Sequence, residues 1–281
     1  MKPRSLSIIP RTDRISTRRT SGVGTEADGP AGSAVENDLL QKLHANIANV
    51  YLGDPRAIDL LLVRENTEGL FSSRLDPQPD GRASEARDTM LITRRGAARI
   101  ARAAFLEARK RRRRVTLVDK ANVLPSMAFF RAVFDEVAAS FPDVEADRVY
   151  VDAMALYLVQ RPEQFDVVVT ENMFGDILSD LAAGIVGGMG MAPSADIGDQ
   201  YAVFQPSHGT APDIAGRGIA NPVATILSAA MMLDWLGEPA AARAIERATR
   251  TVLANPENRT ADLGGALSTH ALGALIASAI D

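Results

Sequence analysis

No cysteine occurs among the 281 residues. That excludes disulfides, thiolate metal sites and cysteine nucleophiles, and it fits a reducing compartment. No apolar run approaches the length of a membrane span. The N-terminus carries basic residues, but no apolar stretch follows them, so no secretory signal is read. Charge of one sign is not in surplus either. The formal net charge is -4, which gives no global attraction to nucleic acid or anionic membrane. A cytoplasmic protein that binds neither is the expectation.

What is present is a chain with 46% hydrophobic residues, enough to bury a substantial core. Residues 1 to about 36 are rich in Arg, Ser, Thr and Gly and show neither a helical nor a strand period. They read as an irregular N-terminal arm, with a nucleic-acid-binding arm as the other reading. Residues 35 to 44 have a weak helical pattern. AIDLLLV (57 to 63), Val115 to Asp119 and FDVVVT (165 to 170) are short apolar runs, suited to strands covered on both faces. A helix is predicted over Arg94 to Arg109, with Ile100, Ala103, Ala104 and Ala108 as its apolar stripe. The basic cluster Arg109 to Arg114 then falls at that helix's C-terminus, where cations oppose the dipole. Further helices are predicted over 126 to 140 (Phe129, Val133, Phe134 and Val137 on one face), from near Asp176, over 224 to 236 and over 238 to 254. Strands alternating with helices argue for an α/β architecture.

The sharpest local signal is Asp176 and Asp180 in FGDILSDLAA. Four residues apart on a helix, they share a face. Two carboxylates so placed repel each other unless a cation sits between them, and a hard divalent ion such as Mg2+ or Mn2+ prefers oxygen ligands. On spacing alone, two exposed acids favoured by the helix dipole are the better account.

Four longer motifs occur in order: VDKANVLP, VDAMALYLVQRPEQFDVVVTEN, ENMFGDILSDLAAGIVGGMGMAPSADIGD and HGTAPDIAGRGIANP. Over residues 44 to 281 the chain resembles the isocitrate/isopropylmalate dehydrogenase family, which oxidises and decarboxylates 3-substituted malates. The resemblance implies an isopropylmalate dehydrogenase-like two-domain α/β fold. A mixed central sheet is flanked by helices, and the large domain is incomplete on its N-terminal side. Residues 44 to 186 would form the small domain, with the dimer interface and the metal and substrate residues. Residues 187 to 281 would be the C-terminal part of the nucleotide-binding large domain.

By the same resemblance, Asp152, Asp176 and Asp180 match the family's Mg2+ or Mn2+ ligands, with Asp152 coming from a second subunit. That implies at least a dimer, either a homodimer or a hetero-oligomer with a full-length relative. Lys120 matches the catalytic lysine that relays the proton of the 2-hydroxyl. Asn122 matches a residue near nicotinamide and substrate. Arg64, in VRENTEG, matches an arginine that grips substrate carboxylates. His208, Gly209, Thr210, Ala211, Asp213 and Asn221 match the adenosine-binding loop. A carboxylate at Asp213 would repel a 2'-phosphate, which favours NAD over NADP. No GxGxxG fingerprint occurs.

Four departures bear on activity. The family's opening Gly-Asp-Gly-Ile-Gly type segment is absent. Asp38 and Ala48 stand where two substrate-binding arginines are expected, each worth about 1.5 to 3 kcal/mol of charge-assisted contact. Phe71 replaces a tyrosine that acts as a proton donor and orients Lys120, and such acid catalysis contributes about 100- to 10,000-fold. Gln205 replaces a glutamate. The alternative expectation is therefore a non-catalytic or regulatory subunit, or a truncated inactive member of the same family.

Overall fold

A computed structural model describes residues 4–8, 58–198 and 200–281. The helical pattern at 35 to 44, Asp38 and Ala48 lie outside the described residues. Seven strands form one sheet in the order β4-β3-β5-β2-β1-β6-β7. They are β1 (Arg4–Ile8), β2 (Leu61–Arg64), β3 (Arg114–Asp119), β4 (Glu145–Tyr150), β5 (Val167–Thr170), β6 (Pro193–Ile197) and β7 (Ala202–Pro206). β2, β5, β3 and β4 run parallel. β1 is antiparallel to both β2 and β6, and β6 pairs antiparallel with β7. The sheet is therefore mixed, as the resemblance implied.

The parallel half explains the continuous apolar runs. Successive strand residues point to opposite faces. Leu61, Val63, Val115, Leu117, Val167 and Val169 enter one core, packed by α1 (Arg94–Arg109) and α2 (Pro125–Ala138). Leu62, Val118 and Val168 enter the other, packed by α3 (Val151–Gln160) and α4 (Asn172–Ile185). Each such side chain stabilises the fold by about 1.5 to 3 kcal/mol. A third core, with Val223, Leu227, Val252, Leu253, Leu272 and Ile276, joins α5 (Val223–Trp235), α6 (Pro239–Leu253) and α7 (Thr269–Ser278). No described helix is long and apolar enough to cross a membrane.

Three expectations need correction. The irregular arm expected over 1 to 36 contains a strand. RSLSI alternates polar and apolar residues, and as β1 it pairs with two strands that would otherwise be edges. On α2 it is Phe130, with Val133, Phe134 and Val137, that is buried, whereas Phe129 is exposed and lies under Arg94. The spacing 130, 133, 134, 137 is the i, i+3, i+4, i+7 stripe, and 129 falls off it. The helix expected near Asp176 starts earlier, at Asn172, because the Glu171 carboxylate caps it by accepting from Phe174 N at 2.6 Å.

The basic cluster is engaged in ion pairs. Arg109 pairs with Asp143, Lys110 with Glu107, Arg111 with Asp59 and Asp166, Arg112 with Asp59, and Arg114 with Asp147. It ties the helix end to the bottoms of the strands.

Candidate active site

β2 ends at Arg64, and the polar turn that follows holds its surroundings. Glu65 is buried and accepts from Arg99 and from Thr67. Glu68 accepts from Thr93 N and Oγ1, and Thr93 Oγ1 in turn caps α1 by accepting from Gly96 N. Arg64 itself reaches across to α4. Its Nε and Nη2 donate to Asn172 Oδ1 at 3.0 and 2.8 Å, and its Nη1 donates to Asp176 Oδ1 at 2.5 Å. Its guanidinium carbon lies 5.5 Å from the centroid of the Phe71 ring.

Asp176 and Asp180 are exposed on α4 and line a cavity of about 220 Å³ together with Arg64, Asn66, Asp196 and Gln205. Because α4 begins at Asn172, neither lies in its first turn. The dipole's pull on an acid falls off within that turn, so the bland account of the pair loses its basis. Burial, and then the negative charge of Asp176, push the Asp180 carboxyl above the usual carboxylate range, and Arg64 opposes them. The carboxylates of Asp176 and Asp180 on that wall outnumber the single guanidinium of Arg64, and carboxylate oxygens are the donors a hard divalent cation prefers. Among the described residues no three His, Cys, Asp or Glu side chains come together as a metal cluster. Within one chain the pair is part of a site.

A second constellation sits elsewhere. β3 delivers Lys120 at its end, and Val123 N and Leu124 N donate to the Lys120 carbonyl to form the turn that leaves Asn122 exposed. Lys120 pairs with Asp152, which lies in the first turn of α3. That hydrogen bond holds the Asp152 carboxyl below its usual range. The Tyr150 ring faces Lys120 Nζ at 5.6 Å and the Arg131 guanidinium at 5.3 Å. Arg131 is fixed by the fully buried Asp119 at 2.7 and 2.8 Å. Neither Lys120 nor Asp152 lines the cavity around Asp176.

The third piece is the loop after β7. His208 Nδ1 contacts Gly209 O at 2.8 Å, and Thr210, Ala211 and Asp213 are exposed. Ala211 is left-handed at φ 43, a conformation that costs an L-residue about 1 to 2 kcal/mol and clusters at ligand sites. Asn221 is buried. Its Nδ2 donates to Asp262 at 3.0 Å, and its Oδ1 accepts from Val223 N. Thr269, at the start of α7, donates to Gly218 O and Ala220 O and clamps the loop's end.

The isocitrate/isopropylmalate dehydrogenase family model matches residues 42–276. The isocitrate/homoisocitrate dehydrogenase of Thermus thermophilus is 50% identical over 230 residues, covering 81% of this chain and 67% of that protein. The 3-isopropylmalate/3-methylmalate dehydrogenase of Methanocaldococcus jannaschii is 48% identical over 229 residues, covering 79% and 68%. The crystal structure of isocitrate dehydrogenase from Methylococcus capsulatus superposes with a TM-score of 0.76 at 38% identity, covering 92% of this chain and 80% of that one. The chain belongs to the isocitrate/isopropylmalate dehydrogenase family. Its match spans about two thirds of the length of these curated relatives.

Among the family residues foreseen in the sequence, Arg64, Asp176 and Asp180 come together, and Lys120 and Asp152 come together apart from them. His208, Gly209, Thr210, Ala211 and Asp213 share one exposed loop, and Asn221 anchors it from below. The sequence reading passed over Asn172, Asn66 and Asp196. Asn172 lies inside ENMFGD, but its partner Arg64 is 108 residues away, so no local pattern marks it. Gln205 is accommodated, since its amide approaches Asp196 at 3.4 Å, where a glutamate would face a second carboxylate.

Proposed function

We propose that this chain carries out metal-assisted, NAD-linked oxidative decarboxylation of a 3-substituted malate of the isopropylmalate, isocitrate or homoisocitrate class, as a dimer. The observation that carries this reading is the Asp176 and Asp180 pair, set beyond the first turn of α4 in a polar cavity beside Arg64. Asp176 and Asp180 would hold Mg2+ or Mn2+ together with Asp152 of a second copy. A cation so held supplies electrophilic polarisation of the substrate hydroxyl. The dinucleotide, on the loop from His208 to Asn221, supplies the hydride acceptor. Asp213 there favours NAD.

The chain's own groups divide the remaining work. Arg64 presents the Nη1 end of its guanidinium to a substrate carboxylate. Lys120 moves the proton of the 2-hydroxyl. Because Lys120 is paired with Asp152, whatever brings Asp152 into a second copy's cavity brings Lys120 as well. Exposed apolar side chains on two neighbouring helices support a second copy. Leu156 and Val159 of α3 are each 52% exposed, and Ile177 of the neighbouring α4 is 57% exposed. Burying these apolar side chains against their symmetry mates stabilises a two-fold dimer.

Phe71 supports a second reading, that of a non-catalytic or regulatory subunit. It lies on Arg64 and offers no proton. NADH formation at 340 nm decides between them, with Mg2+ or Mn2+, NAD, and isopropylmalate, isocitrate and homoisocitrate offered in turn. Metal-dependent turnover of one of them supports the enzyme. Folded dimer without turnover of any supports the regulatory subunit.

A further inference from the structure

We infer that Arg64 acts as an internal counter-cation for Asp176, so that divalent metal and substrate carboxylate each take over one half of a single ion pair. This rests on the metal role of Asp176 given above. Arg64 is held in place for the task. Two of its nitrogens are taken by Asn172 Oδ1, and Asn172 is itself buried and donates to Glu68 O at 2.8 Å. That leaves Nη1, which is directed onto Asp176 at 2.5 Å. The stem crosses α4 where a side chain would block it. A Cβ on Gly175 would stand 2.6 Å from Arg64 Cγ and 2.9 Å from its Cβ.

In this arrangement one carboxylate oxygen of Asp176 already carries a charge-assisted hydrogen bond, the strong class of such bonds. A metal ion arriving alone must displace the guanidinium from Asp176 and leave Nη1 part-buried, with 18% of the Arg64 side chain exposed and that charge-assisted hydrogen bond lost. A substrate carboxylate removes that cost by taking Nη1 over as the metal takes Asp176. Each ligand therefore favours the other by thermodynamic linkage.

The test is Mn2+ binding to the full chain without substrate, read by the loss of the free-ion electron paramagnetic resonance signal. Arg64→Gln removes the competing cation and is expected to tighten Mn2+ binding by about tenfold. Gly175→Ala keeps the guanidinium but pushes it off Asp176, and is expected to tighten binding in the same direction, which covers the case in which Arg64→Gln fails to fold. Folded variants that bind Mn2+ no more tightly than the parent overturn the counter-cation role while leaving the metal site standing. Failure of parent and variants alike to bind Mn2+, with Asp180→Asn making no difference, overturns the metal reading, and the counter-cation role with it.

Discussion

The two constellations of charged side chains differ in how firmly the chain holds them. Arg64 is tied by three hydrogen bonds to α4, with a ring on one side and a glycine clearing its path. Lys120 and Asp152 are held to each other by one ion pair, with Asp152 67% exposed. The Arg64 region is complete in its contacts because its partners lie in the same chain. The Lys120 region has a rigid base, in Asp119 and Arg131, and an open top. A side chain that works within its own subunit can be locked during folding. One that works across an interface must be presented at the surface, and a single exposed ion pair contributes little to its order.

The contrast can be broken by removing the chemistry on either side. Asp180→Asn takes one carboxylate from the cavity wall, and metal-dependent NADH formation should fall by about 1000-fold, with the thermal transition kept. Phe71→Tyr restores a phenol beside Arg64, and turnover should rise by about 100-fold. A Phe71→Tyr protein no faster than its parent would show that the missing phenol is not limiting. Leu156→Asp places a charge on the apolar face of α3 and should weaken the dimer by roughly 100-fold with the monomer fold intact, as read by analytical ultracentrifugation. Monomeric protein that turned over at the parent rate would remove the need for a second copy.

The smallest effect sharpens the comparison from below α4. Glu171 is fully buried, and burial pushes its carboxyl above the usual range. The folded chain therefore binds this proton more tightly than the unfolded one. That contribution to stability is present at low pH and is lost as pH rises from the unfolded value, near 4.3, through the folded one. Glu171→Gln keeps an acceptor for Phe174 N and does not titrate. Its urea midpoint relative to the parent should rise between pH 4 and pH 7, and a difference that is flat with pH would contradict the assignment.

Much of this architecture was legible in the sequence where burial is two-sided or periodic. The stripe of Ile100, Ala103, Ala104 and Ala108 fixed α1, and the runs LLLV and VVV fixed β2 and β5. β6 was not legible. Pro193, Ser194, Ala195 and Asp196 have no strand preference, and their conformation follows from pairing with β1 and β7. β1 was hidden in an Arg- and Ser-rich segment for the same reason. At the site, the acidic pair was visible as spacing, but its meaning depended on where the helix begins, and that is set by Glu171 five residues upstream of Asp176. The pinning of Arg64 by Asn172 joins the two ends of a 108-residue interval and could appear only in three dimensions.

The central claim is that the two constellations meet across a dimer, and subunit complementation tests it most directly. Lys120→Ala and Asp180→Asn are each expected to be inactive. Unfolded together and refolded as mixed dimers, they should regain about a quarter of the parent's NADH-forming rate, because half the dimers are mixed and each mixed dimer carries one intact site. A parent that turns over, with a refolded mixture that stays as inactive as its two components, would contradict the account.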